Sequence, residues 1–280
     1  MRVVTYESER GPRAGLLRGD SLVDAWDAIG GEGTSVRELL AAERLSELVD
    51  ADGPAIALGE VRLLPPVPDP QKIIGIGLNY VDHAAEARLE PPASPTFFAK
   101  FANALCADGE TVALPATSEK VDYEAEVAFV VGRTARDVSE ADAIDHLAGY
   151  TLLNDLSARD LQFATPQWMP GKVFDGSAPC GPAIVTPDEA GPHDAIGIAL
   201  DLNGERMQED TTAGLVFSIP QLVAHLSSLM TLEPGDIVST GTPAGVGGAR
   251  NPSVWLQPGD EVVVSSPQLG RLGTRIGSRS

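Results

Sequence analysis

The stretch Val121-Asp-Tyr-Glu-Ala-Glu-Val-Ala-Phe-Val-Val-Gly132 constrains this chain more than any other part of it. As a β-strand it has a side-chain period of two. Glu124, Glu126, Ala128 and Val130 then share one face, and Ala125, Val127, Phe129 and Val131 the other. Beyond the glutamates both faces are apolar, the pattern of a strand covered on two sides. Two carboxylates side by side in such a place repel each other and lose water, which costs several kcal/mol each unless they are paired or metal-bound. Either the glutamates reach solvent or arginines at a strand end, or they are oxygen ligands for a hard cation such as Mg²⁺, Mn²⁺ or Ca²⁺. Asp155 closes the apolar run Gly149-Tyr-Thr-Leu-Leu-Asn-Asp155 and is either a helix N-cap or a third ligand. Three carboxylates leave about three positions of an octahedral Mg²⁺ for water and substrate, the open shell that Lewis-acid catalysis needs.

The rest of the chain predicts an irregular, β-rich α+β fold. From Lys72 onward short apolar runs alternate with Pro- and Gly-containing turns: Ile73–Gly77, Glu126–Gly132, Gly149–Leu153, Ala183–Thr186, Ala195–Leu202, Asp236–Thr240 and Glu261–Ser265. Pro234-Gly-Asp236 and Pro258-Gly-Asp260 each lead into such a run, as turns entering strands should. Helices are expected at Asn79–Arg88, Ser157–Ala164 and Ile219–Ser228. Residues 1–65 form a separate compositional unit, with strands at Met1–Glu7 and Ala14–Leu22 and a helix at Ser35–Ala51. The four prolines within Leu63–Pro70 predict a linker, giving a small N-terminal domain (1–65) and a larger domain (66–280).

Charge narrows the function. A net charge of −20 opposes nucleic-acid binding, because phosphate would be repelled from nearly every surface. No apolar run is long enough to span a membrane, and Met1-Arg-Val-Val-Thr-Tyr6 lacks a signal-peptide core, so the cytoplasm is the expected compartment. Cys106 and Cys180 cannot make a disulfide framework. With only four lysines, any anion site must concentrate the few cations present.

Seven segments, in order, resemble the fumarylacetoacetate hydrolase family. They are Ile76-Gly-Leu-Asn-Tyr-Val-Asp-His-Ala-Ala-Glu86, Pro95–Lys100, Asp122–Glu126, Asn154–Asp160, Gly171–Asp175, Gly181-Pro182 and Ser239–Gly247. The resemblance implies a mixed β-roll, barrel-like catalytic domain, a small N-terminal α/β domain and a homodimer. It further implies that Glu124, Glu126 and Asp155 bind Mg²⁺ or Mn²⁺. His83 and Glu86, three apart on one helical face, become a water-activating pair on a lid, where the residues alone would allow a solvated surface contact. Lys172 is implied as a catalytic cation. Tyr80, Lys100, Arg159, Gln162 and Thr242 are implied to close the substrate pocket, although Arg159 also reads as a salt-bridge partner near Asp160 and Lys172 as ordinary surface charge. The Thr242 loop has no Gly-Lys-Ser/Thr and is no P-loop. His146, His193 and His225 fall in no matching segment and read as structural.

Two departures bear on substrate. Asn79 stands where fumarylacetoacetases proper carry an aspartate ligand, which favours the branch with three carboxylates. Small residues in Val173–Cys180 point to an unusual pocket. The expected reaction is hydrolysis of the C–C bond of a 2,4-dioxo acid, an acylpyruvate or fumarylpyruvate type, through a metal-stabilised enolate. An oxaloacetate-type decarboxylase or keto–enol isomerase is the alternative, and a non-catalytic ligand-binding homologue a third possibility. The partner in each case is a small mono- or dianionic 2-oxo acid.

Overall fold

The computed structural model describes residues 1–86 and 88–279. Ten strands follow one another across the main sheet, in the spatial order Ala55–Ala57, Ser21–Asp24, Gly11–Arg18, Arg2–Ser8, Ala178–Val185, Leu147–Asn154, Ala125–Val131, Ile237–Ser239, Ile73–Gly77 and Thr96–Lys100. Neighbours run antiparallel except Ile237–Ser239 with Ile73–Gly77. A five-stranded sheet, in the order Glu205–Thr211, Gly197–Leu202, Glu261–Ser266, Gly270–Gly277 and Thr111–Ala113, packs on one side. Neither sheet closes on itself, so the fold is α+β and strand-rich with open sheets.

Ala125–Val131 is buried along its whole length, and its two faces part as the period-two reading predicts. Ala125, Val127, Phe129 and Val131 join a core with Leu200, Val264 and Leu272 of the second sheet and with Leu222 and Leu226 of the helix Ile219–Leu229. Ala128 and Val130 join a different core, with Val3, Leu16, Trp26 and Leu39 from the N-terminal part. At about 1.5–3 kcal/mol per fully buried Leu, Val or Phe, both faces hold the strand rigid.

Several elements differ from the sequence expectation. Ala14–Leu22 is two strands, Gly11–Arg18 and Ser21–Asp24, because Gly19 adopts φ +61° and turns the chain. The helix expected at Ser35–Ala51 starts on a Ser35–Glu38 capping box but ends at Ala41. Glu43 adopts φ +54°, and the amides of Glu43 and Arg44 fold back on the carbonyls of Leu40 and Leu39. That is a helix stop usually announced by glycine, here absent from the sequence. The proline-rich segment is fastened rather than loose: Leu63–Leu64 pairs with Arg2–Ser8, and the Thr5 hydroxyl donates to the Pro66 carbonyl at 2.7 Å. The helices expected at Asn79–Arg88 and Ser157–Ala164 shrink to Val81–Glu86 and Arg159–Gln162, and Ala87 of the first lies outside the described residues. Among the described residues no helix is long and apolar enough to cross a membrane.

Candidate metal centre and active site

Strand register assembles the acidic cluster. Ala125 stands opposite Asn154, and one step further the Asp155 amide donates to the Glu124 carbonyl at 2.9 Å. Glu124, Glu126 and Asp155, all buried, thus offer oxygens within 4.8 Å of one another, close to the span of a single hard cation's ligands.

The three carboxylates have unequal surroundings. Asp155 accepts from the Lys100 ammonium at 2.6 Å and from Lys172 at 2.7 Å. Glu124 accepts from Lys172 at 2.7 Å and lies 2.7 Å from Arg159 Nη1. Burial opposes ionisation of Glu124, but Lys172 and Arg159 outweigh it and hold its pKa below the usual range. Glu126 meets the Ser239 hydroxyl and the Gly241 amide but no cationic side chain among the described residues. Burial, then the charges of Asp155 and Glu124, push its pKa up to about 8. A buried carboxylate without a countercharge, beside two others, is a donor set that fits a divalent cation. Asn79 adds no ligand: its amide is spent on the backbone of Phe217 and Thr240.

A cavity of about 530 Å³ opens over this cluster and is lined by His83, Glu86, Glu124, Glu126, Arg159, Gln162, Lys172 and Thr242. The His83–Glu86 pair is present, Nδ1 to Oε2 at 3.4 Å. Burial opposes ionisation of Glu86, but hydrogen bonds from His83 and the Gly245 amide outweigh it, so the carboxyl stays below its ordinary pKa. Gly245 serves both Glu86 oxygens, at 3.0 and 3.1 Å. A Cβ there would stand 2.2 Å from the Met207 carbonyl, and φ is +106°, so the position requires glycine. The same loop gives the amides of Gly247 and Gly248 to Asp122, at 2.7 and 2.9 Å.

Two expected pocket residues lie elsewhere. Tyr80 is fully buried beneath the helix Val81–Glu86, with its ring against Gly214, and does not line the cavity. Lys100 supports Asp155 from behind, with its second bond to the Ser177 carbonyl. Arg159 reaches the cavity but is engaged by protein: Nε donates to Asp122 at 2.9 Å and Nη1 to Gln162 at 3.0 Å. The small residues around Ser177 do not shape the pocket either. Ser177 lies fully buried under both lysines, its carbonyl on Lys100 and its hydroxyl on the Lys172 carbonyl.

Sequence reasoning also missed residues. Asp122 stands within a quoted segment, and its role as a fully buried anchor for Arg159 was open to inspection there. Gln208 ties Thr242 to the Ala125 amide, and Trp168 forms a wall against Gly77; nothing local in the sequence marks either.

Comparison with known proteins agrees with this fold. Residues 72–277 match the family described as fumarylacetoacetate (FAA) hydrolase C-terminal. The mitochondrial oxaloacetate tautomerase fahd2 of Xenopus laevis is 37% identical, over 99% of this chain and 90% of its own. The fumarylacetoacetate hydrolase of psychrophilic Exiguobacterium antarcticum superposes with a TM-score of 0.87 at 32% identity, covering 100% of both chains. A 5-carboxymethyl-2-hydroxymuconate delta-isomerase from Mycobacterium smegmatis superposes at 0.81 with 31% identity, again over 100% of both.

Proposed function

The chain belongs to the fumarylacetoacetate hydrolase family of enzymes, and from that premise we propose that it is a metal-dependent keto–enol tautomerase of oxaloacetate-type 2-oxo acids. The observation that carries this reading is that one cavity holds both a cation-ready carboxylate cluster and a His83–Glu86 pair. The relative that spans 99% of the chain is named for the same reaction.

Glu124, Glu126 and Asp155 would hold Mg²⁺ or Mn²⁺, which would supply positive charge at the 2-oxo group and so acidify the neighbouring carbon. The His83 imidazole removes a proton from that carbon and returns it to the enolate oxygen, or the reverse, with no net gain or loss of atoms. Glu86, kept ionised and held by the Gly245 amide, orients the imidazole. The Lys172 ammonium faces the charge that develops on oxygen, in a setting where burial strengthens it.

A second reading, hydrolysis of a 2,4-dioxo acid, is favoured by one feature. The cavity, at about 530 Å³, is walled by Leu89, Phe98, Phe163 and Trp168, room for an acyl arm beyond a four-carbon acid. There His83 would deprotonate water instead of carbon.

Stopped-flow decay of the enol absorbance of oxaloacetate, with Mn²⁺ and with EDTA, tests the first reading. Acetylpyruvate cleavage measured in parallel tests the second. Acceleration of enol decay no greater than that by Mn²⁺ alone would remove the tautomerase reading.

A further inference from the structure

The charges around the cluster are nearly balanced. Three cationic side chains, Lys100, Lys172 and Arg159, stand against four carboxylates, Asp122, Glu124, Glu126 and Asp155. With all four carboxylates ionised, as ligation of a divalent ion would leave them, the site would carry one excess positive charge. That serves one substrate carboxylate or enolate; a second carboxylate has no countercharge there.

The remaining lysine of the cavity supplies one. Lys72 pairs with Asp236, and Lys100 and Lys172 with the cluster, whereas Lys120 lines the cavity with no carboxylate within ion-pair distance among the described residues. Asp160 also lines the cavity, but its carboxylate is engaged by the Ser118 hydroxyl and the amides of Glu119 and Leu161. The Lys120 backbone is fixed: its carbonyl accepts from the Arg159 amide at 2.9 Å, and the next residues, Val121–Asp122, pair with Ser157–Ala158. Four residues of extended chain separate it from Glu124, at most about 13 Å, and the long lysine side chain shortens that gap.

We propose that Lys120 is a specificity-determining residue that holds the far carboxylate of a 2-oxo diacid whose oxo end lies at the metal cluster. This rests on the 2-oxo-acid reading of the site and adds to it the residue that selects diacids over monoacids. Lys120 is exposed, so the contact is water-screened and modest.

The test is equilibrium binding with no turnover: calorimetry at low salt and saturating Mg²⁺ of 2-oxoadipate against 2-oxohexanoate, acids of equal carbon number. The wild type should bind the diacid roughly fivefold more tightly. Lys120→Met should erase that preference by weakening 2-oxoadipate alone, Lys120→Arg should keep it, and 0.5 M NaCl should shrink it. Equal weakening of both acids in Lys120→Met, or no diacid preference in the wild type, including failure to bind either acid, overturns the proposal. An enzyme that shows the preference but leaves enol-oxaloacetate untouched would sink the tautomerase reading and keep this one.

Discussion

Lys100 and Asp155 form an ion pair in which the ammonium stands 2.6 Å from Oδ1 and both side chains are only 1% exposed. Replacing Lys100 with Met strips one cation from a buried carboxylate and leaves the Ser177 carbonyl without that donor. The expected loss is roughly 3–5 kcal/mol in urea denaturation with EDTA present. A loss under about 1 kcal/mol, the scale of a surface pair, would show that Lys172 alone satisfies Asp155.

Glu126 behaves differently, because among the described residues it has no cationic partner to abandon. Glu126→Gln should leave the EDTA-treated protein melting within a few degrees of the wild type, since burial and its acidic neighbours already favour the neutral form near pH 7. What should disappear is the stabilisation that Mn²⁺ confers on the wild type, read as a melting shift that grows with concentration. An undiminished Mn²⁺ shift in the variant would exclude Glu126 as a ligand.

The contrast between these two residues shows what was legible in the sequence. Glu124, Glu126 and Asp155 could be read because a strand's alternation is local, and the same alternation correctly sent Val127 and Ala128 to different cores. The family resemblance places Lys100 and Arg159 against substrate. Their actual partners, Asp155 and Asp122, depend on how distant segments are apposed, which spacing does not encode. The early stop of the helix Val36–Ala41 escaped for a related reason: Glu43 adopts a backbone conformation usually signalled by glycine.

His83 separates the two chemistries. His83→Ala should slow enol-oxaloacetate conversion by roughly 10²-fold or more if the imidazole moves the proton. Glu86→Gln should have a smaller effect, because Glu86 orients the base without exchanging the proton. Retention of tautomerisation with loss of acetylpyruvate cleavage would assign His83 to water activation and favour the hydrolytic reading.

Far from the cavity, Asp24 sets an acid limit on folding. Its carboxylate accepts from Arg13 at 2.7 Å and from the Tyr6 hydroxyl at 2.6 Å. Burial opposes ionisation, but Arg13, Tyr6 and the Asp27 amide outweigh it and lower the pKa in the folded state. A lowered folded pKa contributes stability that is complete above the unfolded value, about 4, and is lost as pH falls through the folded one. Asp24→Asn should therefore be less stable at pH 7 and show a flatter loss between pH 5 and 2 in denaturant midpoints. An unchanged acid slope would place the sensitivity elsewhere.

The strand Ala178–Val185 sits between Leu147–Asn154 and the N-terminal strand Arg2–Ser8, which meets it at Arg2 opposite Val185 and Val3 opposite Ile184. Trimming the first 65 residues would therefore bare part of an interior strand's hydrogen-bonding edge as well as the apolar face that covers Ala128 and Val130. Unprotected edges of that kind recruit strands from other molecules. The piece that carries the catalytic groups would be prone to self-association if released alone. Exchanging N-terminal regions between relatives would have to preserve this seam, because the strand that carries it begins just beyond Ser177, the residue on which both buried lysines rest.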